Sequence, residues 1–185
     1  VVFMGMGEPF LNYKRVIEAA KIMNEKMEIG SRRITISTAG IVSKIYQMAD
    51  DKLPYKLAVS LNAPNDDIRK KIMPLTLTNP INELLKAAEY YYNKVRRFIT
   101  FEYVLLEDIN SSEECAHQLI QLLNNIPCKV NLIPYNEIGS SYSRPDNYTI
   151  NNFERILNEA PFTTTVRWSK GINIDAGCGQ LAVSN

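Results

Sequence analysis

The chain closes on "DAGCGQLAVSN", residues 175–185, where Cys178 stands between Gly177 and Gly179. Sulfur chemistry needs a thiolate that partner molecules can reach. Glycines on both sides of a thiol leave room for close approach and permit backbone conformations that other residues resist. Cys178 is therefore the candidate nucleophile. The other two cysteines read as packing: Cys115 falls on the apolar face of a helical pattern, and Cys128 precedes a buried-looking strand. Small hydrogen-bonding groups recur elsewhere, in Gly5-Met6-Gly7-Glu8-Pro9, Ser37-Thr38, Ser60-Leu61-Asn62, Glu107-Asp108 and Pro134-Tyr135-Asn136. Together they suit a polar, multi-atom ligand such as a nucleoside. A GxG without a third glycine is no dinucleotide fingerprint, and no GxxxxGK[ST] is present. The sole histidine, His117, lies in a helical pattern, so there is no Ser-His-Asp set, HExxH or metal cluster. Arg32-Arg33, Arg69-Lys70-Lys71 and Arg96-Arg97 read as solvated faces.

The elements that must position these groups alternate. Val1–Met4, "RRITIST", "YKLAVSL", "RFITFEYVLL", "KVNLIP" and "TTTVRW" are β-branched or continuously apolar and read as strands. Between them lie helical patterns. Asn12 caps one that carries Tyr13, Val16, Ile17, Ala20, Met23 and Met27. "VSKIYQMAD" gives a short one, and "APNDDIRKKIMP" another that Pro74 stops. Asn79 and Pro80 open a longer helix through Val95. Ser111 and Glu114 form a capping box before the helix of Cys115 and Leu119. Thr149 starts a last helix through Phe153 and Ile156. Strand–helix alternation implies parallel pairing with right-handed crossovers. The polar groups above fall after strands, where sites form in parallel barrels and open α/β sheets. The chain is short for a (β/α)8 barrel of about 250 residues. A partial barrel and an open doubly wound sheet both fit the periodicity.

Composition bounds the function. The 185 residues are 45% hydrophobic, a globular mixture, with a formal net charge of +1. That balance carries no basic footprint of a simple RNA-binding module. Three cysteines without framework or CxxC spacing fit a reducing, cytoplasmic setting. No apolar run reaches the length of a membrane span. "VVFMGMGEPF" reads as a strand already under way, and the expectation is a chain that begins inside a larger protein.

"GMGEP", "ITISTAGIV", "LAVSLNAP", "IMPLTLTNPI", "NLIPYN" and "IDAGCGQLA", in that order, resemble the radical S-adenosyl-L-methionine (SAM) methyltransferases of RNA adenine. The resemblance is best to the dual-specificity C2 methyltransferases of 23S rRNA and tRNA, and it spans essentially the whole chain. It implies an α/β fold, a partial (β/α)6 barrel whose first strand and N-terminal domain lie outside these residues. Residues 1–185 would be one truncated barrel domain that includes a C-terminal strand and a methyl-carrier cysteine loop at about 163–185. Gly7 and Glu8 match positions that hold the amino acid end of SAM. Ser37, Ser60, Leu61, Asn62 and Asn136 match other SAM contacts. Cys178 matches the cysteine that takes a methyl group from one SAM. A second SAM, cleaved at a [4Fe-4S] cluster, would supply the radical that activates that methyl for C2 of adenine. The implied partners are 23S rRNA, tRNA and an electron donor such as flavodoxin. A relay makes physical sense because C2 of adenine is a poor nucleophile and a thiolate a strong one.

Three departures are visible. The CxxxCxxC that binds the cluster has no counterpart here, so these residues alone are expected to be inactive. Asn62 stands where the family usually has histidine, and asparagine does not titrate near neutrality. Lys170 stands where arginine is usual. The alternatives are a C8 methyltransferase of the same family and a SAM-independent metabolic barrel enzyme.

Overall fold

Six strands separated by six α-helices, two of them between β3 and β4, run through the described part of the chain, residues 1–5, 7–136 and 141–168 of a computed structural model. The order is β1 (Val2–Phe3), α1 (Tyr13–Glu25), β2 (Thr35–Thr38), α2 (Val42–Asp50), β3 (Lys56–Ser60) and α3 (Asp66–Ile72). It continues with α4 (Ile81–Val95), β4 (Ile99–Leu105), α5 (Glu113–Leu123), β5 (Cys128–Pro134), α6 (Asn147–Leu157) and β6 (Thr163–Val166).

All five strand pairings are parallel, and spatial order equals chain order, β1 to β6. A doubly wound sheet reverses its strand order at a switch point. No reversal occurs here, so the sheet is singly wound. Among the described residues β1 and β6 do not pair with each other, which makes this an open, partial barrel.

Strand alternation separates two faces. Ile36, Leu57, Val59, Phe101, Tyr103, Val130 and Leu132 are all buried to within 1% and form the core with the helices. Burying each such side chain contributes roughly 1.5–3 kcal/mol. Helix α4 supplies Leu84, Ala88 and Tyr91, and α6 sets Phe153 against Tyr103 at 5.5 Å between ring centroids. Cys115 and Cys128 are buried as expected, and burial pushes the Cys128 thiol up to about 12. His117 is exposed.

Several expected caps move. Ser112, not Ser111, caps α5, its Oγ accepting from Cys115 N at 3.2 Å; Ser111 is buried. Helix α6 begins at Asn147 rather than Thr149, because Asp146 accepts from Thr149 N at 2.7 Å. Asn12 precedes α1 without a side-chain cap. The true entry is a 3-10 turn, Pro9–Asn12, capped by Glu8. Met27 lies past the end of α1 and is exposed. Asn79 serves a different helix from the expected one. Its Oδ1 accepts from Val42 N, the first residue of α2, at 2.9 Å, while Asp66 caps α4 through Ile81 N at 2.9 Å.

Candidate ligand site on the strand rim

The face of the sheet away from the helices is polar. Cross-strand register aligns Ser60 with Glu102, Glu102 with Asn131 and Asn131 with Thr165, a single polar row over four strands. Ser37 Oγ donates to Glu102 Oε2 at 3.3 Å, and Thr165 Oγ1 bonds Asn131 Oδ1 at 3.2 Å. Glu102 is 6% exposed. Burial raises its carboxyl above the ordinary range, while Ser37, nearby Arg167 and Asn131 pull it part of the way back. A row of hydroxyl, carboxyl and amide groups recognises a polar ligand, not an apolar one.

The expected site residues meet this row at one rim. Parallel strands place every carboxyl end on the same side. Gly7 and Glu8 follow β1, Ser37 lies in β2, Ser60-Leu61-Asn62 ends β3, and Asn136 follows β5. Gly7 has φ of +89°, and a Cβ there would meet nothing within 4 Å, so backbone conformation rather than crowding requires glycine. Glu8 is held firmly: its Oε1 accepts from Phe10 N at 2.9 Å and its Oε2 from Ala39 N at 2.6 Å. Each carboxylate oxygen keeps acceptor capacity for an ammonium group.

The triplet after β3 divides its work. Ser60 is half-buried on the polar face, while Leu61 is fully buried and packs into the core, leaving its backbone at the rim. Asn62 takes φ of +58°, a left-handed conformation that asparagine tolerates better than most residues. Its Oδ1 accepts from Val104 N at 2.9 Å, and its Nδ2 lies 3.3 Å from Met73 Sδ. The carbonyl of Asn62 accepts from Asn110 Nδ2 at 2.8 Å. Its side chain thus continues the β3–β4 pairing where the ladder ends. Cys178 and Lys170 lie outside the described residues.

Two residues of the site were not anticipated. Glu102 left a signal, a lone charge inside the apolar run "RFITFEYVLL" and out of phase with Phe101 and Tyr103. Arg69 left none. It was expected on a solvated face and is instead fully buried behind the rim.

Among the described residues no three His, Cys, Asp or Glu side chains gather where a metal could sit. With Cys115 and Cys128 buried in the helix-side core, the described residues do not fit an iron–sulfur cluster. They do fit SAM, whose charged amino acid end and hydroxyl-bearing nucleoside match a carboxylate, hydroxyls and an open glycine turn. No helix of the described residues is long and apolar enough to cross a membrane.

Comparison with known proteins shows to what sequences and folds the chain is similar. A probable dual-specificity RNA methyltransferase RlmN of Thermoanaerobacter sp. (strain X514) is 49% identical over 98% of the chain. The dual-specificity RNA methyltransferase RlmN of Marinomonas sp. is 44% identical over the same share. A solved radical SAM methyltransferase from Sphaerobacter thermophilus superimposes with a TM-score of 0.92 at 45% identity, over 97% of the chain. The chain spans about half the length of these relatives, 54%, 50% and 53% respectively. No protein-family model matches it.

Proposed function

We propose that this chain, which over its own length is similar to dual-specificity RNA methyltransferases and to a radical SAM methyltransferase, carries on its rim the SAM site of an adenine C2 methyltransferase. Residues 1–185 are proposed to act as one barrel domain, with the methyl-carrier cysteine Cys178 following β6. SAM, when bound, supplies the methyl group. Glu8 accepts from its ammonium group, Gly7 lets the backbone approach, and Ser37, Ser60 and Asn136 bind its polar atoms. Leu61 and Asn62 contribute through their backbone, since their side chains are committed to the protein. Cys178 would supply the thiolate that accepts this methyl group, its new sulfur–carbon bond replacing the methyl–sulfonium bond of SAM, which would leave as the neutral thioether S-adenosylhomocysteine. The proposed substrates are 23S rRNA and tRNA in the cytoplasm, with a flavodoxin as electron donor and a [4Fe-4S] cluster held by residues outside this chain.

The observation that supports this most is the convergence of Glu8, Ser37 and Ser60 on one rim beside the Glu102 row. The test is mass spectrometry of nucleosides from 23S rRNA and tRNA treated with the intact protein that carries this chain. 2-Methyladenosine is expected. 8-Methyladenosine would move the protein to the C8 reading, and no methylated adenine would contradict both.

A further inference from the structure

The most buried cation among the described residues makes no salt bridge. Arg69 on α3 is fully buried and forms no ion pair among the described residues. Burial lowers its guanidinium to about 10, with Asp66 opposing that change from nearby. Five oxygens take the place of a counter-ion. Nε donates to the Leu61 carbonyl at 3.0 Å, and Nη2 to the carbonyls of Ala39 at 2.7 Å and Ser60 at 3.0 Å. Nη1 donates to Thr76 Oγ1 and the Asn79 carbonyl, each at 3.2 Å.

These acceptors are not scattered. Ala39 lies just past β2, and Ser60-Leu61 ends β3. The N–H of the same Ala39 donates to Glu8 Oε2 at 2.6 Å. A continuous chain of contacts therefore runs from Glu8 through Ala39 and Arg69 to Ser60 and Leu61. The cradle is tight. Gly40 has φ of +111°, and a Cβ there would stand 3.1 Å from Arg69 Nη2. Only a planar fork with donors on all three nitrogens reaches these oxygens at once; an ammonium on a flexible stem does not.

We propose that Arg69 is a positioning residue for the SAM site: its guanidinium fixes the turn after β2 against the turn after β3, so that Glu8, Ser37 and Ser60 face one ligand together. The proposal rests on the reading of the rim as the SAM site. Arg69 touches no ligand in it and acts through the carbonyls it holds.

The test compares Arg69→Lys with Phe153→Leu in the intact protein. Phe153 lies on α6 with its ring 5.5 Å from that of Tyr103, in the helix-side core and apart from the five oxygens that Arg69 holds, and serves as the destabilised control. SAM affinity is read by equilibrium dialysis and thermal stability by calorimetry. Arg69→Lys should weaken SAM binding on the order of tenfold or more, because a displaced donor set loses binding steeply. Phe153→Leu, equally destabilised, should keep its affinity. Thr76→Val removes one acceptor and leaves the charge, and it should show a smaller loss in the same direction. Equal SAM affinity in all variants would overturn the proposal. Amide exchange separates the two readings. In Arg69→Lys the amides of Ala39 and Leu61 should exchange faster while α5 and α6 stay unchanged, and unaltered exchange at both amides sinks the clamp alone. Wild-type protein that binds no SAM sinks the site reading and the proposal built on it.

Discussion

Glu102 holds a carboxyl group where an alternating strand puts it on the polar face, yet almost no solvent reaches it. Its folded-state affinity for a proton is raised by burial. The native state therefore binds more protons than the unfolded chain between the ordinary value of 4.5 and the raised one. Stability must fall as pH rises through that window. Glu102→Gln keeps the shape and an acceptor for Ser37 but cannot ionise. It should match wild type at about pH 4 and become the more stable of the two toward about pH 8, read by denaturant melts across that range. A difference that does not grow with pH would mean that Glu102 ionises as freely in the fold as out of it. The place of Gly7 and Glu8 after β1 was legible in the sequence because a motif carries them, whereas Cys178 lies outside the described residues. Arg69 was not legible. A basic triplet on a short helix looks solvated, and the oxygens that bury it come from three separate segments of chain, at Ala39, Ser60-Leu61 and Thr76–Asn79, that only the fold assembles.

The elements were legible where one residue type dominates. "RFITFEYVLL" holds the whole of β4, and Leu84, Ala88 and Tyr91 keep the period of α4. Their ends were harder to read. Ser111 and Ser112 are adjacent, and backbone direction decides which hydroxyl meets the Cys115 amide. Asn79 was harder still, because it caps a helix that precedes it in the chain. Its Oδ1 satisfies the first amide of α2, whose own N-cap residue, Ile41, has no side-chain acceptor. Asn79→Ala should therefore lower stability by about 1 kcal/mol, the usual cost of a lost cap. Hydrogen exchange should place the loosening in the first turn of α2 rather than of α4. Loosening confined to α4 would show that Asn79 serves the helix it adjoins in sequence.

At the scale of the molecule, sequential parallel order does two things at once. It puts every helix on one face, where the core forms, and every strand's carboxyl end on one rim, where polar groups gather. The absence of an order reversal excludes a crevice between two halves of a doubly wound sheet, and the proposed ligand site is therefore the polar face itself. The periodicity alone left that choice open, because strand order is a long-range property. The row from Ser60 to Thr165 spans four strands and is ready for a polar ligand, while the proposed relay thiol lies further along the chain. The central claim is that a methyl group reaches adenine by way of Cys178. The most direct measurement is peptide mass spectrometry of the intact protein, purified after turnover with SAM. The Cys178 peptide should be heavier by one CH2, with the added carbon on sulfur. An unmodified Cys178 thiol in protein that methylates its RNA would contradict the account.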